Sequence, residues 1–230
     1  MADMELILQH GWAIDSGIWS QWKESAAKID LKLNIKFAER GYFSRPPLQA
    51  MFSGEDNLQV LVVHSLGLHL ASKAQIDSSD LLVIIGGFSN FHEGSARESK
   101  ISRTSVRRML HKLNQSPAQV IADFYARCGF PSDYHEQDIS PPENLKLIIE
   151  DLKLLDQSTF NPDWSSLAGE VLILHGENDA IAPVRHAHRL NELCKRSSIQ
   201  LHQDGNHALP YLQPTWCLEK IRAHCLVAQR

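Results

Sequence analysis

The stretch from Leu58 to Leu70, LQVLVVHSLGLHL, constrains this chain more than any other: a continuous apolar run passes through His64-Ser65-Leu66-Gly67 into helix-compatible sequence. A short apolar run of this kind suits a strand buried on both faces. A tight strand-to-helix turn with serine at its apex lifts the hydroxyl above the sheet and leaves the next backbone N–H at a helix N-terminus. That context gives a G-x-S-x-G pattern chemical meaning, with Ser65 as candidate nucleophile. One position departs from the pattern. Val63 stands where the first glycine is usual, and a β-branched residue there predicts a crowded turn. A strand-to-helix turn with an incidental serine is the plainer alternative, because short motifs recur by chance.

Other apolar runs share the strand signature: Leu6 to Leu8, Leu81 to Ile85 and Val171 to Leu174, with a further strand-like stretch from Ile199 to His202. Helix-compatible stretches lie between them, at Ile18 to Ile29, Leu66 to Gln75 and Val184 to Cys194. Alternating strands and helices predict an α/β protein with a mostly parallel sheet and helices on both faces. One interval breaks the rhythm. From Phe88 to about Trp164 lie roughly 75 residues where a crossover needs about a dozen.

That interval predicts a helical cap over 88–165, inserted into a core formed by 1–87 and 166–230. Val106, Met109, Leu110 and Leu113 recur at helical spacing, as do Val120, Ile121, Phe124 and Tyr125. Pro117 suits the first turn of the second helix. Asp133 to Asn144, with Pro141 and Pro142, predicts a loop before a third helix at Leu145 to Leu155.

A serine nucleophile needs a base, and histidine suits that role near neutral pH. The chain has 12 histidines, and chain order selects among them. In a fold of this kind the acid and then the base follow the serine, each on a loop after a late strand. Gly205-Asn206-His207-Ala208 follows the last strand-like stretch, so His207 is the candidate base. His175-Gly176-Glu177-Asn178-Asp179 follows the strand before it, so Asp179 is the candidate acid and Glu177 its rival.

The other histidines receive plainer assignments. His64 and His69 flank the turn as packing or hydrogen-bonding residues. His186 and His188 are two apart and cannot share a helix face, and His224-Cys225 lacks a partner pair at zinc spacing. No metal and no cofactor are expected. The cysteines Cys128, Cys194, Cys217 and Cys225 form no C-x-x-C pair and are expected as free, mostly buried thiols.

The formal net charge of −4 argues against general nucleic-acid binding, no apolar run approaches a membrane span, and the N-terminus carries no secretory pattern. A cytoplasmic monomer is the expectation. Within the cap segment, Lys100, Arg103 and Arg107 recur at spacings of three and four, away from Val106, Met109 and Leu113. This basic stripe is either a solvated helix face or a docking surface for an acidic partner.

Gln9-His10-Gly11-Trp12-Ala13 follows the first strand, where the second oxyanion donor is expected: the N–H of Trp12 would pair with that of Leu66. A simple tight loop at His10-Gly11 is the alternative. Taken together, HGWAIDSGIW, the Ser65 turn, Phe124-Tyr125-Ala126-Arg127-Cys128, GENDAIAP and NHALPYLQP make the chain resemble the pimeloyl-[acyl-carrier protein] methyl ester esterases of biotin synthesis. The resemblance implies an α/β-hydrolase fold and a serine carboxylesterase. It also implies an acyl site at Trp12, Leu66, Phe124, Tyr125, Arg127 and Cys128, and an acyl carrier protein as partner. Two departures stand out. The chain opens directly on the strand before the oxyanion loop, without the usual preceding hairpin, and Ala122 and Asp123 occupy positions where some relatives are basic. Another ester or thioester substrate, or a non-catalytic binding protein on the same fold, would fit the same motifs less fully.

Overall fold

Six strands form one parallel sheet in the order β2-β1-β3-β4-β5-β6. They are β1 (Met4–Gln9), β2 (Leu33–Ala38), β3 (Leu58–His64), β4 (Leu81–Ile85), β5 (Glu170–Gly176) and β6 (Ser197–His202). The computed structural model describes residues 4–54, 57–135, 143–161 and 169–228. Pro141, Pro142 and Trp164, named above, lie outside them. The apolar runs read as strands occupy β1, β3, β4 and β5, and the side chains of β4 are buried throughout. β2 is not evident from the sequence, because Asn34 and Lys36 interrupt its apolar residues; at the sheet's edge half-exposed side chains are tolerated.

Side-chain alternation along the strands sends residues to opposite faces. On one face Leu6, Leu8, Val60 and Val62 pack with Trp22 and Ala26 of α1 (Trp22–Lys28) and with Leu218 and Ile221 of the helix Pro214–Ala228. On the other, Ile7, Leu61, Val63 and Ile84 pack with Leu68 of α2 (Gly67–Leu70), Ile76 of α3 (Lys73–Asp77) and Leu190 of α7 (Arg185–Leu193).

Two expected helices are broken. Ile18 to Ile29 divides into a 3₁₀ turn, Ser16–Trp19, capped by Asp15, followed by α1. Leu66 to Gln75 divides into α2 and α3, because Ala71 is extended and Ser72 opens a new capping box with Gln75.

Between β4 and β5 stand α4 (Ala96–Leu113), α5 (Pro117–Cys128) and α6 (Leu145–Gln157). A capping box of Ser95 and Glu98 starts α4, Pro117 starts α5, and Gly129 at φ 84° ends it. These helices are tied to the sheet by polar links. Asp151 of α6 accepts from Arg40 Nε and Nη2, both at 2.7 Å, and from the Tyr42 hydroxyl at 2.6 Å. The indole of Trp12 donates to the Ile148 carbonyl at 2.8 Å. No helix among the described residues is long and apolar enough to cross a membrane.

Candidate active site

The strand order reverses beside β1: the chain passes from β1 to β2 on one side and later returns to place β3 on the other. Crevices at such a switch point, outside the carboxyl ends of the strands, are where open α/β sheets bind ligands. The carboxyl end of β1 leads into Gly11-Trp12 and that of β3 into Ser65.

Ser65 sits at φ 55°, a left-handed conformation that costs a non-glycine residue about 1–3 kcal/mol. Its N–H bonds the Ile85 carbonyl at 2.9 Å, anchoring the turn to β4. Gly67 lets α2 lean on the end of β1, since a Cβ there would lie 2.7 Å from the Gln9 carbonyl oxygen. Val63, by contrast, is fully buried among Leu68 and Ile84 on the sheet's other face, so its bulk packs the core beneath the turn.

The Ser65 hydroxyl donates to His207 Nε2 at 3.0 Å, and His207 Nδ1–H donates to Asp179 Oδ2 at 2.7 Å. All three side chains are buried. The other Asp179 oxygen accepts from the N–H groups of Ile181 and Ala182, both at 2.8 Å. Burial opposes charge on Asp179, but His207 and these amides outweigh it and hold the carboxyl below its ordinary value. Glu177 is exposed and takes no part.

Two neighbouring histidines have structural partners. His64 Nε2–H donates to the His207 carbonyl at 2.9 Å, and burial pushes its pKa down to about 3, so it stays neutral. His175 Nε2–H donates to the Ala182 carbonyl at 2.7 Å, steadying the Asp179 loop.

Gly11 lies against the turn: a Cβ there would fall 2.9 Å from Ser65 Cβ and 3.4 Å from Leu66 N. Neither the Trp12 nor the Leu66 N–H is bonded to another described residue. Two free donors therefore flank Ser65, where an acyl-transfer intermediate would carry its oxyanion.

Beside Trp12, and lined by none of Ser65, His207 and Asp179, lies a cavity of about 450 Å³ whose walls include Phe91, Val106, Met109, Phe124 and Leu155. Trp12 and Phe124 meet edge to face at 4.9 Å. Arg127 also lines it, whereas Leu66, Tyr125 and Cys128 do not. The helix turns by about 100° between Phe124 and Tyr125. The Tyr125 hydroxyl accordingly donates to the Ala13 carbonyl, and buried Cys128 packs in the core, both seating α5 on the loops beneath. Lys100, Arg103 and Arg107 are exposed on α4.

No protein-family model matches this sequence, and no curated protein matches it either. Solved structures match over nearly the whole chain. An esterase from Exiguobacterium antarcticum superposes with a TM-score of 0.74 at 14% identity, covering 97% of this chain and 92% of that one. A bromoperoxidase from Bacillus anthracis gives 0.72 at 16% identity, covering 99% and 92%. The enol-lactonase from Burkholderia xenovorans gives 0.70 at 12% identity, covering 99% and 92%. This is the α/β-hydrolase fold.

On an α/β-hydrolase scaffold, function must be argued from the site. A second Ser-His-Asp line shows why: His92 Nδ1 lies 2.8 Å from Ser102 Oγ, and His92 Nε2 lies 2.9 Å from Asp156 Oδ1. Ser102, however, sits inside α4, where the helix consumes the backbone donors, and its hydroxyl also bonds the Ser99 carbonyl at 3.1 Å. That line ties α4 to α6 and has no strained turn beside it. Two further residues near the site have no role legible in the sequence. His10 and Glu39 form a buried pair at 2.9 Å behind the Gly11-Trp12 loop. Their only sequence signal is adjacency to the ends of β1 and β2, and β2 itself was not evident.

Proposed function

We propose that the protein is a serine carboxylesterase with Ser65 as nucleophile, His207 as general base and Asp179 as the group that orients and charge-stabilises the imidazole. The observation that carries this reading is the continuous bonding from Ser65 through His207 to Asp179 at 3.0 and 2.7 Å, with the serine on a strained turn. In the first half-reaction the Ser65 oxygen attacks the ester carbonyl while its proton passes to His207 Nε2. Collapse of the tetrahedral intermediate expels the alcohol, which takes that proton, and leaves an acyl-serine. Water, deprotonated by the same nitrogen, then releases the acid and restores Ser65. The Trp12 and Leu66 amides hold the oxyanion in both intermediates.

The substrate proposed is the methyl ester of a pimeloyl-[acyl-carrier protein], giving methanol and the free carboxylate for biotin synthesis. The sequence resemblance supports it, as does an apolar cavity beside Trp12 large enough for an acyl chain. Esterases are among the solved structures that share this fold. The helices α4 to α6 act as the cap, and Lys100, Arg103 and Arg107 as the docking surface for the acidic carrier. The test is hydrolysis of a panel of p-nitrophenyl and methyl esters of increasing acyl length, together with the carrier-bound methyl ester. The carrier-bound ester is expected to give the highest kcat/KM; preference for a short free ester would keep the esterase and overturn this substrate.

A further inference from the structure

The oxyanion hole depends on the orientation of one peptide plane, that joining Gly11 to Trp12. Glycine has no Cβ to restrict rotation on its side of that plane, so the loop alone gives the Trp12 N–H little reason to face Ser65. The structure supplies a lock. His10 Nδ1 lies 2.9 Å from the Gly11 carbonyl oxygen, and since a carbonyl only accepts, the nitrogen donates. Described peptide bonds are all trans, so the carbonyl and the N–H of one plane point in opposite directions. Holding the Gly11 oxygen toward the imidazole therefore turns the Trp12 N–H away from it.

The ring is itself held. Its Nε2 lies 2.9 Å from Glu39 Oε1, a carboxylate oxygen that also only accepts, so both ring nitrogens carry a hydrogen and the contact is an ion pair; Glu39 is fixed in turn by the Ser16 N–H at 3.0 Å and the Arg40 N–H at 3.1 Å. Both His10 and Glu39 are buried. Burial opposes charge on Glu39, but His10 and the Ser16 amide outweigh it and bring its pKa to about 2, so the carboxylate persists as a fixed acceptor.

We propose that His10 is a positioning residue for the oxyanion hole, fixing the Gly11 carbonyl so that the Trp12 N–H faces the reacting carbonyl, with Glu39 fixing the imidazole in turn. This rests on the esterase reading above and adds to it a residue that touches neither substrate nor triad.

Two isosteric substitutions separate this role from a structural one. The side-chain nitrogen of asparagine can stand near the Nδ1 position and bond the Gly11 carbonyl; that of glutamine stands near Nε2 and reaches only Glu39. With p-nitrophenyl butyrate, His10→Gln should lower kcat by about 100-fold, the scale of losing one oxyanion donor, while KM changes little. Affinity for a trifluoromethyl ketone, whose adduct places an oxyanion in the hole, should fall in proportion. His10→Asn should lose less than about tenfold in both. If the pair served only to fill and neutralise the core, glutamine would be the better replacement, and that order of activities overturns the proposal. Should both variants fail to fold, Glu39→Gln decides: kcat and ketone affinity falling together at constant KM support the role, and unchanged kcat overturns it. A wild-type protein that hydrolyses no ester overturns the proposed function, whereas an active one with indifferent His10 variants overturns this inference alone.

Discussion

At Ser65 a backbone cost and a chemical gain coincide: the left-handed turn that strains the residue also presents its oxygen to His207 at 3.0 Å. Ser65→Ala removes one oxygen atom and should abolish ester hydrolysis while leaving the unfolding midpoint nearly unchanged, as steady-state kinetics and thermal melting would report. The acid is tested by exchange. Asp179→Asn should cut kcat by roughly 10⁴-fold by leaving the imidazole in the wrong tautomer, and Glu177→Gln, on an exposed side chain, should do little. Reversed results would move the acid to Glu177. These residues are legible in sequence because each follows a recognisable strand on a short loop. His10 and Glu39 are not legible, because their contact depends on β1 and β2 lying side by side, with Gln9 opposite Ala38.

At the scale of elements, one buried carboxylate gathers several of the partners that hold α6. Asp151 is buried and receives Arg40 and Tyr42. Asp151→Ala should destabilise the protein by about 3 kcal/mol in denaturant titration, since a buried pair loses one partner and strands the others. A change under about 0.5 kcal/mol would mean that the Asp151 links add nothing to the hold on α6. On α4, reversing Lys100, Arg103 and Arg107 to glutamate should lower kcat/KM for a carrier-bound ester and leave free-ester hydrolysis unchanged, with added salt mimicking the loss. Equal losses for both substrates would make the stripe structural. Periodicity locates α4 and α5, loop-forming residues before Leu145 locate α6, and the reading fails where polar capping overrides periodicity: Ser72 with Gln75 divides what reads as one helix.

The whole molecule buries groups that must stay neutral, and this sets its pH range. Burial lowers His64 to about 3 and His186 to about 4 from 6.5, and it raises Cys225 from 9.0 to about 11. The unfolded chain thus gains protons first as pH falls below 6.5 and loses them first as pH rises above 9.0, so native stability should be greatest between those values and decline on both sides. Glu39 adds a further loss below 4.5 as pH falls toward its native value of about 2. Thermal melts from pH 4 to 10 would show the dome; a midpoint flat from pH 6.5 to 4 would contradict it. The global architecture follows from the alternation of buried strands with helices. The central claim, that Ser65 is an activated nucleophile, is tested most directly by reacting the native protein with a fluorophosphonate and locating the adduct by peptide mass spectrometry. One adduct is expected, on Ser65, lost in Ser65→Ala and strongly slowed in His207→Ala; no adduct, or an adduct on Ser102 instead, would contradict the assignment of Ser65.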